Sequence, residues 1–68
     1  MNIGIVGAGA IAHFLLKEIN QKNQNDLRVK SVFVKDKRKY EMIASEYEVE
    51  LFTDLNDFLS SEIDVVVE

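Results

Sequence analysis

Cysteine, proline and tryptophan are all missing from this 68-residue chain, and glycine occurs only three times. Without cysteine there is no disulfide, no thiolate metal ligand and no cysteine nucleophile. That usage fits a reducing compartment, so a cytoplasmic location is expected. Long apolar runs are missing too: Ile3 to Ala12 is the longest, and glycines interrupt it. A membrane helix needs about 20 apolar residues, so no membrane partner is expected. No Lys or Arg precedes the run, which also argues against a secretory signal.

Basic residues are absent from residues 41–68, where every charge is acidic. The chain carries a net charge of −4, a poor basis for nucleic-acid binding, which depends on many cationic phosphate contacts. Four cations nevertheless crowd into "KDKRK", Lys35 to Lys39, a cluster suited to one small phosphorylated ligand.

What is present describes a folded domain, with 47% hydrophobic and 29% charged residues. Its length falls below the roughly 70–80 residues at which one core is comfortably self-sufficient. Ile3, Ile5 and Val6 read as a buried strand. Ile11, Phe14, Leu15 and Ile19, spaced i, i+3, i+4, i+8, predict a helix with those residues on its buried face. "NQKNQND", residues 20–26, reads as a polar loop, and "VKSVFV", residues 29–34, as a second strand. Tyr40, Ile43, Ala44 and Tyr47 predict a second helix in which both tyrosines serve the core. "EVELF", residues 48–52, alternates as a half-exposed strand does. Thr53 is the expected N-cap of a third helix carrying Leu55, Phe58 and Leu59, with Asp54 and Asp57 in its first turns. "IDVVVE", residues 63–68, is a fourth strand.

Strands alternating with helices imply an α/β fold with a parallel sheet and three helices. The glutamate-bearing third strand suits an edge and the apolar first strand the interior, which predicts the order 3-2-1-4, the first part of a Rossmann sheet. That order leaves the apolar fourth strand without an outer neighbour. Continuation of the natural protein past Glu68 is the favoured explanation, and self-association through residues 63–68, giving a homo-oligomer, is expected of the chain as it stands.

The stretch "IVGAGAIAHFLL", residues 5–16, carries two glycines where the strand meets the helix. Gly7, Gly9 and Ala12 spell G-x-G-x-x-A in the strand–turn–helix context that dinucleotide binding requires. Gly7 permits the tight turn, Gly9 leaves room for a pyrophosphate, and Ala12 keeps the helix close to the sheet. The first-turn amides, around Ala10 and Ile11, lack partners within the helix and suit an anion. The competing reading is a glycine-shaped turn with no ligand. At the end of the second strand, "VFVKDKRK", the selecting position is Lys35 or Asp36, depending on register. Asp36 facing the ribose favours NAD; Lys35 there, with Lys37 or Arg38 alongside, favours NADP. Four cations against one carboxylate lean towards NADP or use of both. Capping by Asp36 amid solvated loop charges is the plainer alternative. His13 reads as a helix-surface residue, no side chain is offered as catalytic, and no metal-ligand spacing occurs.

The stretches "MNIGIVGAGAIA", "VKSVFVKDK", "LFTDLNDFL" and "IDVVVE" together resemble the N-terminal NAD(P)-binding domain of the aspartate dehydrogenase and homoserine dehydrogenase group. That group is itself similar to the glucose–fructose oxidoreductase-like dehydrogenases. The resemblance implies that residues 1–68 are the N-terminal part of a dinucleotide-binding domain, with the substrate domain absent. It implies an oxidoreductase acting on a small amino acid in the intact enzyme. Gly7, Ala8, Gly9, Ala10, Ile11 and Ala12 would lie at the pyrophosphate, and Lys35 and Asp36 at the adenosine ribose. Catalytic residues would lie beyond Glu68, so the chain alone is expected to be inactive. A non-catalytic nucleotide-sensing module is the alternative function. A flavin enzyme would prefer a carboxylate where the cationic cluster stands.

Overall fold

The computed structural model describes residues 1–21 and 26–68; residues 22–25 of the expected polar loop lie outside them. Four strands, β1 (Asn2–Val6), β2 (Arg28–Phe33), β3 (Glu50–Phe52) and β4 (Val65–Val67), form one sheet in the order β3-β2-β1-β4. Every pairing is parallel, as crossover connections through helices require. The helices are α1 (Ala10–Leu15), α2 (Glu41–Tyr47) and α3 (Leu55–Leu59). A π-helical turn, Leu16–Gln21, prolongs α1, and a 3₁₀ turn, Lys37–Tyr40, leads into α2. This is the α/β arrangement of a partial Rossmann fold.

The main core gathers Ile3 and Ile5 of β1, Val29 and Val32 of β2, and Val49 and Leu51 around β3 beneath Ala12 and Leu16 of the first helix. Ile43, Ala44, Tyr40 and Tyr47 pack against it as the periodicity predicts. The first helix is rotated from the predicted face: Leu15 and Ile19 pack against the core as expected, but the other two do not. Ile11 and Phe14 are 66% and 62% exposed, whereas Ala12 and Leu16 are buried. Small side chains let this helix approach the sheet closely, so the contact stripe runs through Ala8, Ala12, Leu15 and Leu16 rather than through the bulkiest residues.

The other face of the sheet is covered by Phe58 of α3, which is fully buried. Its ring tilts against Phe33 at 5.8 Å and meets Phe52 edge-on at 6.2 Å. Gly4, whose place in β1 alternates with Ile3 and Ile5, faces this ring. Buried Ser31 bonds the Ser61 hydroxyl at 2.8 Å, and Ser61 in turn donates to the Phe58 carbonyl. Among the described residues no buried side-chain nitrogen or oxygen lacks a hydrogen-bond partner.

Several boundaries differ from those expected. The helical path continues through Asn20 because that side chain finds backbone partners. Its amide donates to the carbonyls of Val29 (2.8 Å) and Tyr47 (3.1 Å) and accepts from the Val29 N–H at 2.8 Å. β3 pairs with β2 only from Ser31 onward, so Asn20 supplies the partners that a longer β3 would have given Val29. β3 itself starts at Glu50 rather than residue 48, because Glu48 adopts φ +56 to close α2. Asp54, rather than Thr53, caps α3 by accepting from the Asp57 N–H at 3.0 Å. β4 is confined to Val65–Val67, since Asp64 is occupied in a latch with β1. Its carboxylate accepts from the Asn2 N–H, and its own N–H donates to the Asn2 carbonyl, both at 2.7 Å.

Candidate functional site

The carboxyl ends of β1 and β2 lie side by side, with Val6 opposite Phe33. Beyond them the Gly7 N–H donates to the Phe33 carbonyl at 2.8 Å, which fixes the strand-to-helix turn to the sheet. Gly7 has φ +96, a conformation that a side chain resists, so glycine is required there by the turn itself. Gly9 differs. It precedes α1 with φ −82 and ψ −159, backbone angles open to any residue, and its carbonyl accepts the His13 N–H at 3.1 Å.

A Cβ built on Gly9 meets no atom within 4 Å, and the same holds at Gly7. Nothing inside the protein therefore needs the bare backbone at Gly9; open space adjoins it. Serine, aspartate or asparagine would cap the helix better than glycine, yet α1 has no side-chain cap. An unprotected helix start beside a methyl-sized vacancy is what a polyanion lying against the backbone demands.

Two cavities flank this turn and share Val6 and Gly7. One, of about 360 Å³, passes between Ala8 and the end of β2, where Phe33, Val34, Lys35, Asp36, Lys39 and Tyr40 line it. The other, of about 390 Å³, follows Gly9, Ala10, Ile11 and Ala12 towards Val67 and Glu68 of the β4 end. Together they make an elongated cleft along the strand ends, the usual ligand location in open α/β sheets. The structure thus brings together all eight sequence-predicted positions, Gly7 to Ala12 with Lys35 and Asp36, around one turn.

The cationic cluster is only partly recruited. Lys35, Asp36 and Lys39 line the first cavity, whereas Lys37 and Arg38, the cations expected beside Lys35, do not. Asp36 accepts from the Arg38 N–H at 3.1 Å, capping the 3₁₀ turn. Lys39 and Tyr40 were not anticipated as cleft residues. A 3₁₀ turn returns to its starting side after three residues, so Asp36 and Lys39 share a face; that spacing was the available signal. His13 is exposed on α1, as expected. Among the described residues no helix is long and apolar enough to cross a membrane, and no group of three or more His, Asp or Glu could hold a metal ion.

No curated protein matches the chain. A family model described as "oxidoreductase family, NAD-binding Rossmann fold" matches residues 1–67, nearly the whole length. With the parallel 3-2-1-4 sheet and the bare-backbone turn at its carboxyl edge, this match identifies the chain as a member of the GFO_IDH_MocA oxidoreductase family.

Proposed function

We propose that this chain binds the adenosine and pyrophosphate portion of NAD(P), and that the protein is an amino-acid dehydrogenase of the aspartate or homoserine type. The observation that carries the binding reading is Gly9, bare backbone in an unstrained conformation beside open space. In this reading Gly7, Ala8, Gly9, Ala10, Ile11 and Ala12 line the pyrophosphate, with unpaired first-turn amides donating to its oxygens. Lys35 and Asp36 line the cavity on the adenosine side. NADP, or use of both cofactors, is favoured because two lysines and one carboxylate line that cavity. Bound NAD(P) supplies the hydride acceptor or donor; this chain's residues bind it and fix its direction along the strand ends. No side chain here is assigned to proton transfer, so turnover is not expected of residues 1–68 alone.

Val65 and Val66 are 40% and 44% exposed on β4, whose outer edge has no strand partner among the described residues. This supports pairing of that edge with a second copy of the chain, and a homo-oligomer is part of the same reading.

Titration with NADPH and NADH, followed by anisotropy of nicotinamide fluorescence, tests the cofactor reading. Both should bind, NADPH the tighter, and its advantage should shrink with added salt as the lysine contacts are screened. NADH binding about tenfold tighter than NADPH, a difference of about 1.4 kcal/mol, would overturn the preference.

A further inference from the structure

Asp36 stands at the cleft with its carboxylate already engaged. One oxygen accepts the Arg38 N–H at 3.1 Å, which closes the start of the Lys37–Tyr40 turn while Asp36 itself stays extended at φ −128 and ψ 103. The turn then brings Lys39 back to the cavity wall and leaves Lys37 and Arg38 outside it. The Lys39 ammonium lies 5.9 Å from the centre of the Tyr40 ring, and Tyr40 packs against the main core. Lys39 therefore has both an anchored backbone and an aromatic platform facing the cleft.

We propose that Asp36 is a positioning residue for Lys39, and that Lys35 and Lys39 form the pair that takes a phosphomonoester on the adenosine side of the dinucleotide. This rests on the dinucleotide reading above and deepens it. It assigns the cluster's selectivity to Lys39 rather than to Lys37 or Arg38, and it gives the carboxylate a role other than holding the ribose diol. The three groups at the wall sum to one positive charge, enough to favour a phosphate dianion over a neutral hydroxyl.

Two substitutions at Asp36 separate the roles. Asparagine keeps the capping oxygen and removes the negative charge; alanine removes both. In the 68-residue chain, Asp36→Asn should bind NADPH as tightly as the parent or severalfold tighter, with NADH unchanged. Asp36→Ala should lose NADPH affinity while NADH changes little. Lys39→Ala should weaken NADPH about tenfold and Lys37→Ala hardly at all. Asp36→Asn and Asp36→Ala both weakening NADH and both strengthening NADPH would overturn the proposal, because that is the signature of a ribose-binding carboxylate. Hydrogen exchange at the Arg38 amide, measured without ligand, reads the positioning role separately. It should accelerate in Asp36→Ala and stay slow in Asp36→Asn, and equal rates in parent and alanine variant would contradict the anchoring. Should the parent bind neither dinucleotide, the functional reading fails and the selectivity assignment falls with it, while the Arg38 amide still judges the turn.

Discussion

At Gly4 the constraint comes from across the sheet. An added methyl would lie 2.6 Å from Cδ1 of Ile63 and 2.8 Å from Cζ of Phe58. The isoleucine tip can swing, but the Phe58 ring is fully buried between Phe33 and Phe52 and has nowhere to go. Gly4→Ala should therefore cost about 1–3 kcal/mol, the usual range for overpacking a tight core. Urea unfolding should show a lower midpoint with an unchanged slope; an unmoved midpoint would mean that α3 slides freely over β1. Gly7 and Gly9 were legible in the sequence because their spacing belongs to a local turn. Gly4 was not, since its reason lies in a helix near the other end of the chain. Asn20 was hidden likewise: its partners on Val29 of β2 and Tyr47 at the end of α2 come from other elements.

The elements show which sequence signals are local and which depend on assembly. Alternation placed Val49 and Leu51 inside and Glu48 and Glu50 outside, and the structure agrees, although the hydrogen-bonded strand is shorter. Helical spacing succeeded for α2, whose half-buried face is the predicted one. For the first helix the spacing was right at Leu15 and Ile19 but misled at Ile11 and Phe14, because a helix seated against the sheet through Ala12 presents those two outward. β4 is an edge strand, its backbone paired with β1 on one side only, and its Val65 and Val66 are exposed. Sedimentation velocity at rising concentration should reveal dimers, and Val66→Lys should shift them to monomer, since an edge lysine opposes strand addition. A monomer at every concentration would contradict pairing through β4.

For the molecule as a whole, the strand order determines where chemistry can occur. With β1 and β2 central, the turn after β1 and the cation-bearing segment after β2 emerge at the same edge, and the cleft runs between them. The places of β3 and β1 were legible because alternation and charge mark the edge strand β3 and apolarity the interior strand β1, whereas β4 is apolar and still stands at an edge. The cofactor choice was not, because register alone could not say which of Lys35 and Asp36 faces the cleft. Both do, and the folding back of the 3₁₀ turn adds Lys39. The proposed resting place of the diphosphate is the bare-backbone turn. Amide spectra of ¹⁵N-labelled protein, recorded as NADPH is added, test that directly. The amides of Gly7 to Ala12 should move first and furthest, and Gly9→Ala should weaken the response strongly while lowering the unfolding midpoint only slightly, since its Cβ enters open space. Shifts confined to other parts of the surface, or an undiminished response in Gly9→Ala, would contradict it.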